Sequence, residues 1–153
     1  DHMVLSIIMY CKTDIGATLN GAIAGLVSIT AEPLTPSIGQ AIIIGGIGGI
    51  ICMFGMKLLD KLKIDDVVGA IPAHLFAGIW GTLIVPFTNG DTSYVTQIIG
   101  ILAFGIFTVI GSTIVWFVLK STVGIRATED DEEYGLDYTE SGQAGLEYVS
   151  KKK

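Results

Sequence analysis

One ionisable side chain stands where charge is costly. In the stretch DDVVGAIPAHLFAGIWGTL (65–83) two acids end abruptly, and the twenty-one residues from Val67 to Phe87 then carry no formal charge beyond any proton on His74. An imidazole donates and accepts hydrogen bonds and titrates nearest neutrality. On a regular helix His74 shares a face with Ala70, Ile71, Ala77 and Gly78, its neighbours at three and four residues, and three of these are small. Pro72 lacks the N–H that would bond the carbonyl of Val68, which frees that oxygen and predicts a kink. A loosened backbone beside an imidazole with room around it suits a narrow polar passage, lined by those small neighbours. The alternative is a buried histidine bonded to the backbone of another helix and holding a bundle together. At membrane depth ionisable groups are rare, and an interior pathway is the default hypothesis.

The remaining polar candidates carry less. Asp65 and Asp66 flank the start of this segment, where a carboxylate caps free N–H groups, and they lie too far along it to relay protons to His74. Asn20, near the start of an earlier apolar run, fits either a hydrogen bond between helices or a polar position on a pathway. A metal site needs more ligands than one histidine, and neither Cys11 nor Cys52 lies within helical reach of it. Both cysteines sit in apolar sequence and read as free, buried thiols. No nucleophile–base set and no paired carboxylates within an apolar run point to an enzyme, and nothing calls for a cofactor. Ser112, Thr113 and Thr108 are expected to bond backward to their own helix.

The elements that would position these groups are apolar all round. Of 153 residues 50% are hydrophobic and 16% charged, with a mean hydropathy of +0.64, whereas an ordinary soluble domain carries about a quarter charged residues. A bilayer core of about 30 Å needs about 20 apolar helical residues. Four segments approach that, at 15–31, 38–56, 67–87 and 94–119, and the last is long enough to span with tilt. A shorter apolar stub at 4–11 reads as the end of a helix whose beginning is missing, which leads to the expectation of a fragment. Residues 1–126 are therefore expected to form a transmembrane portion and 127–153 an acidic cytoplasmic tail.

Charge gives the orientation. Eight of the fifteen acids follow Ala127, so the net charge of −6 describes mainly the tail. Lys12, Lys57, Lys61, Lys63, Lys120 and Arg126 all fall in segments on one side of the proposed spans, while 32–39 and 88–93 contain no base. By the positive-inside rule the C-terminus is cytoplasmic. No basic patch with aromatics appears, which argues against nucleic-acid binding. Gly21-Ala22-Ile23-Ala24-Gly25 and Gly45-Gly46-Ile47-Gly48-Gly49 carry small residues four apart, the spacing that lets membrane helices approach closely. The second run lacks the spacing and lysine of a phosphate-binding loop.

Four stretches in order, NGAIAGLVSITA (20–31), KLLDKLKIDD (57–66), GAIPAHLFAGIWGTL (69–83) and VGIRATEDDEEYGLD (123–137), resemble the ammonium transporter family (Amt, Mep and Rhesus proteins) over nearly the whole chain. The resemblance implies an all-α integral membrane fold, these spans being the last four of an eleven-helix inverted-repeat transporter. It implies a homotrimer in the bacterial inner membrane, each subunit conducting ammonium or ammonia past two hydrogen-bonded pore histidines, with His74 at the second position. It also implies a PII signal protein as a regulatory partner. The chain departs from the family pattern at Leu75-Phe76-Ala77-Gly78, where many members read Gly-Val-Cys-Gly, and at Ser141-Gly142-Gln143-Ala144 in the tail. The seven preceding helices, with the first pore histidine, are missing, so the chain alone is not expected to enclose a pore. The competing reading is a small four-helix membrane protein with a structural or interaction role.

Overall fold

The computed structural model describes residues 15–136 and Ile7, apart from the side chains of Asp130, Glu133 and Tyr134. The expected stub at 4–11 (Ile7, which is helical, excepted), Cys11, Lys12 and the tail beyond 136 lie outside the described residues. The described residues form helices joined by turns and loops, with no strand among them. The chain divides into two units, Asp1–Gly105 and Ile106–Lys153.

Five helices follow one another: α1 (Ile15–Ile29), α2 (Ile38–Leu62), α3 (Ile71–Thr88), α4 (Tyr94–Thr122) and the short α5 (Glu129–Tyr134). Three of them, α2, α3 and α4, are long and apolar enough to cross a membrane. Over its 15 described residues α1 rises about 22 Å. It stops at Ile29 rather than at 31 because Thr30 turns back, donating to the carbonyl of Val27 through both its N–H (3.2 Å) and its hydroxyl (2.8 Å).

A capping box starts α2: Gln40 N–H donates to Ser37 Oγ at 3.3 Å, and Ser37 N–H donates to Gln40 Oε1 at 2.8 Å. The helix continues six residues past the expected end at Met56. Lys57, Asp60 and Lys61 in that extension are not helix breakers, and long basic side chains reach water from a helix end. Lys63 closes α2 in the left-handed conformation at φ 56°, with its own N–H on Asp60 O and that of Ile64 on Leu59 O. The last span begins after Ser93, whose Oγ accepts from Thr96 N–H at 3.2 Å, and runs three residues past 119. Within it Ser112 bonds backward to Val109 O at 3.2 Å. It buries none of its residues. In the second unit a capping box of Thr128 and Asp131 opens α5, and exposed Arg126 pairs with Glu132 at 3.0 Å.

The small-residue runs of α1 and α2 meet. A Cβ added to Gly45 would stand 3.2 Å from Gly25 O, so the two backbones touch there. The contacts Gly25 to Gly45 and Asn20 to Cys52 run in opposite directions along the chain, which makes α1 and α2 antiparallel. α3 returns parallel to α1, as Asn20 to Val68 and Ser28 to Ala77 show. All three helices converge on buried Ser28: Gly48 of α2 and Gly81 of α3 both lie so close that a Cβ on either would collide with it. The core between them is made of small side chains, Ala24, Cys52, Ala73 and Ala77, with Val27 and Met56 against it.

Candidate functional site

His74 sits on the part of α3 that is not an α-helix. From Ile71 to Phe76 the backbone is π-helical, and ordinary α-helix resumes at Ala77. Ala77 N–H reaches back to Pro72 O, five residues away, which is the wider hydrogen-bond pattern of a π turn. Such turns are rare and occur frequently at functional sites.

The local sequence accounts for the entry into this turn. Val67 and Val68 are apolar yet exposed and outside the helix. Helix starts only after Gly69, whose φ of +72° is open to glycine and strained for other residues. Asp66 then caps the new helix with both carboxylate oxygens, accepting from Ala70 N–H and Ile71 N–H at 2.9 Å each. Asp65 is exposed and makes no hydrogen bond among the described residues. Pro72 offers no N–H to Val68 O, and Ala73 N–H goes to Gly69 O at 3.2 Å. The carbonyl of Val68 is taken instead by the side-chain amide of Asn20, at 2.8 Å. Asn20 also presses against the turn: a Cβ at Gly69 would lie 2.7 Å from its Nδ2.

The far side of the π turn is held by α2. Gly55 lies under Pro72 and Phe76, and a Cβ there would stand 2.9 Å from Pro72 Cβ and 2.6 Å from Phe76 Cδ2. Pro72 and Ala73 are buried, whereas His74 and Leu75 are exposed. The residues expected to line a passage with His74 are consequently spread around the helix. Ala77 is fully buried in the core, Gly78 is in ordinary contact with Val27, Ile71 is half-buried and Ala70 is exposed. The 3.6-residue spacing behind that expectation does not hold through a π turn. Among the described residues no group of three metal-ligating side chains comes together.

Higher on α3, Trp80 spans the gap to α2 by donating its indole N–H to Ile44 O at 3.0 Å. Beside it lies a recess of about 220 Å³, lined by Ile43, Ile44, Ile47, Ile84, Phe87 and Trp80 with Gln40 at one end. Its lining suits hydrocarbon rather than an ion. Beyond α3, Asn89 Nδ2 donates to Glu32 Oε2 at 2.9 Å and ties the two connecting loops together. That hydrogen bond holds the Glu32 carboxyl below the usual glutamate range, against a smaller opposing effect of burial.

Sequence reasoning missed Gly55, Gly69, Ser28 and Gly81. Gly69 had a local signal, standing between a capping aspartate and a proline. The other three are close-approach positions whose role depends on which helices meet.

Spanning apolar helices that meet at glycine and other small residues, one of them carrying a histidine on a π turn, define an integral membrane protein. The family follows from comparison: the Ammonium Transporter Family model matches residues 2–146, and the chain belongs to that family. Similar proteins include sll1017 of Synechocystis sp., 40% identical over 134 residues, covering 86% of this chain and 30% of that protein. The ammonium transporter Amt2 of Archaeoglobus fulgidus is 37% identical over 150 residues, covering 84% of this chain and 32% of that one. An ammonium transporter of Bacillus subtilis is 36% identical over 149 residues, covering 86% and 36%. The chain thus spans about a third of the length of the curated relatives it matches. The family is one of transporters, not enzymes.

Proposed function

We propose that this chain forms part of a conduit carrying ammonium, as ammonia and a proton, across the bacterial inner membrane, with His74 as the second histidine of the pore pair. The observation that carries the reading is an exposed imidazole on a π turn of an otherwise uncharged spanning helix. Taking a bare ammonium ion into low dielectric costs many times more than taking neutral ammonia. A group that hydrogen-bonds the neutral species and tolerates a passing proton lowers that barrier, and imidazole does both.

A conduit needs walls on every side of His74. The exposed apolar faces of α1 to α4 suit burial against further spanning helices of the family's eleven-helix arrangement, which also supply the first histidine. Homotrimers, a cytoplasmic C-terminus and regulation by a PII protein complete the proposal. The C-terminal orientation is supported by the lysines at 57, 61 and 63 and the basic residues Lys120 and Arg126.

The test is flux. The membrane assembly containing this chain, purified and placed in liposomes, should shift internal pH on an ammonium pulse much faster than protein-free liposomes. It should not pass potassium. Rates equal to those of empty liposomes, or equal conduction of potassium, would reject the proposal.

A further inference from the structure

We propose that Asn20 is a positioning residue for His74, holding the imidazole in its direction through the carbonyl of Val68. The transport half of this statement rests on the function proposed above; the structural half does not.

The argument begins with an unpaired acceptor. Pro72 leaves Val68 O without its helical donor, and the next N–H along, that of Ala73, is committed to Gly69 O. A carbonyl in this position at a helix start would otherwise turn to water or pull the first turn into another register. Asn20 reaches across from α1 and donates to it at 2.8 Å. Close behind stands Gly69 at φ +72°, with no room for a Cβ beside the Asn20 amide. From the other side, Asp66 takes the N–H groups of Ala70 and Ile71.

Residues 66–71 are thereby fixed from two directions, and the π turn starts immediately after them. Register matters because His74 is the fourth residue of a six-residue π segment. Each residue of a helix turns the side-chain direction by about 100°. If the segment relaxed to α-helical hydrogen bonding, the imidazole would swing away from the open side that Pro72 and Ala73 leave by being buried. Asn20 therefore acts on His74 without touching it. Ser28 supplies the contrast: its hydroxyl donates mainly to Ala24 O of its own helix at 2.7 Å, and its longer contact to α3, at Ala77 O (3.4 Å), lies beyond the π turn.

The experiment compares Asn20→Ala, Asn20→Gln and Ser28→Ala. The first readout is the ring signals of His74 in the histidine-labelled chain in lipid nanodiscs, assigned by their loss in His74→Ala. The second is ammonium flux through the full assembly in liposomes. Asn20→Ala should move or broaden the His74 signals and reduce flux about three- to tenfold, the factor one neutral hydrogen bond commonly carries. Asn20→Gln, which keeps an amide donor, should recover most of both. Ser28→Ala should leave the His74 signals in place. Should Asn20→Ala fail to accumulate in membranes, Asn20→Ser is read by the same spectrum. Unchanged His74 signals in the Asn20 variants, or equal changes in Ser28→Ala, overturn the proposal. If instead His74→Ala transports normally, the pathway reading falls, and the spectrum alone still decides whether Asn20 positions the ring.

Discussion

Gly81 rests directly on the backbone of Ser28: a Cβ at position 81 would stand 2.8 Å from the carbonyl carbon of residue 28. Backbone cannot move aside as a side-chain tip can, so this crossing requires glycine. Gly81→Ala should destabilise the bundle by about 1–3 kcal/mol, the usual cost of overfilling a close-packed site. Gly46→Ala is the matched control, since nothing lies within 4 Å of an added Cβ there. It should be neutral or stabilising by up to about 1 kcal/mol, because alanine is the better helix former. Thermal unfolding in nanodiscs, followed by labelling of buried Cys52 in a Cys11→Ser background, measures both. Equal midpoints for the two variants would refute the crossing.

The loop tie between Glu32 and Asn89 gives a pH dependence. The Asn89 hydrogen bond lowers the folded carboxyl below its ordinary value of 4.5. A depressed carboxylate contributes stability that is fully present above the unfolded value and lost as pH falls through the folded one. The stability difference between the natural chain and Glu32→Gln should therefore be constant from neutrality down to about that ordinary value, then vanish on further acidification. Midpoints measured across that range decide it. A difference that persists at the acid end would assign the effect to something other than the carboxylate.

Lys63 is the one non-glycine residue at positive φ among those described. The left-handed conformation costs an L-residue roughly 1–2 kcal/mol, part of which glycine gives back through its freer unfolded chain. Lys63→Gly should raise the stability of the α2 terminus by a net of about 0.5–1 kcal/mol. Slower amide exchange at Leu62–Ile64 would register the gain. Faster exchange would mean that the lysine side chain stabilises this cap by more than its backbone costs.

Much of this architecture is legible in the sequence because hydropathy marks where helices can lie in lipid. The runs at 38–56 and 94–119 each fall within one helix. Ends are harder to read, because hydropathy does not measure backbone geometry. Val67 and Val68 are apolar but excluded from α3 by Gly69 and by the cap of Asp66, while charged Lys57, Asp60 and Lys61 continue α2 into the interface. The site was half legible. His74 stands out as the ionisable residue of an uncharged run, and the freed carbonyl of Val68 follows from Pro72. That Asn20 meets this carbonyl, and that the turn widens to π so that Ala77 faces the core, depends on which helices pack together, which no local spacing encodes.

The central claim is that His74 serves a conduction path, and the most direct test is ammonium flux through the full assembly in liposomes, natural chain against His74→Ala, at equal protein incorporation. The account predicts a loss of at least about tenfold, the effect of adding ~1.4 kcal/mol to the barrier, or a new leak of metal cations through the altered lumen. Unchanged ammonium flux with unchanged selectivity would contradict it and leave the imidazole a structural feature of α3.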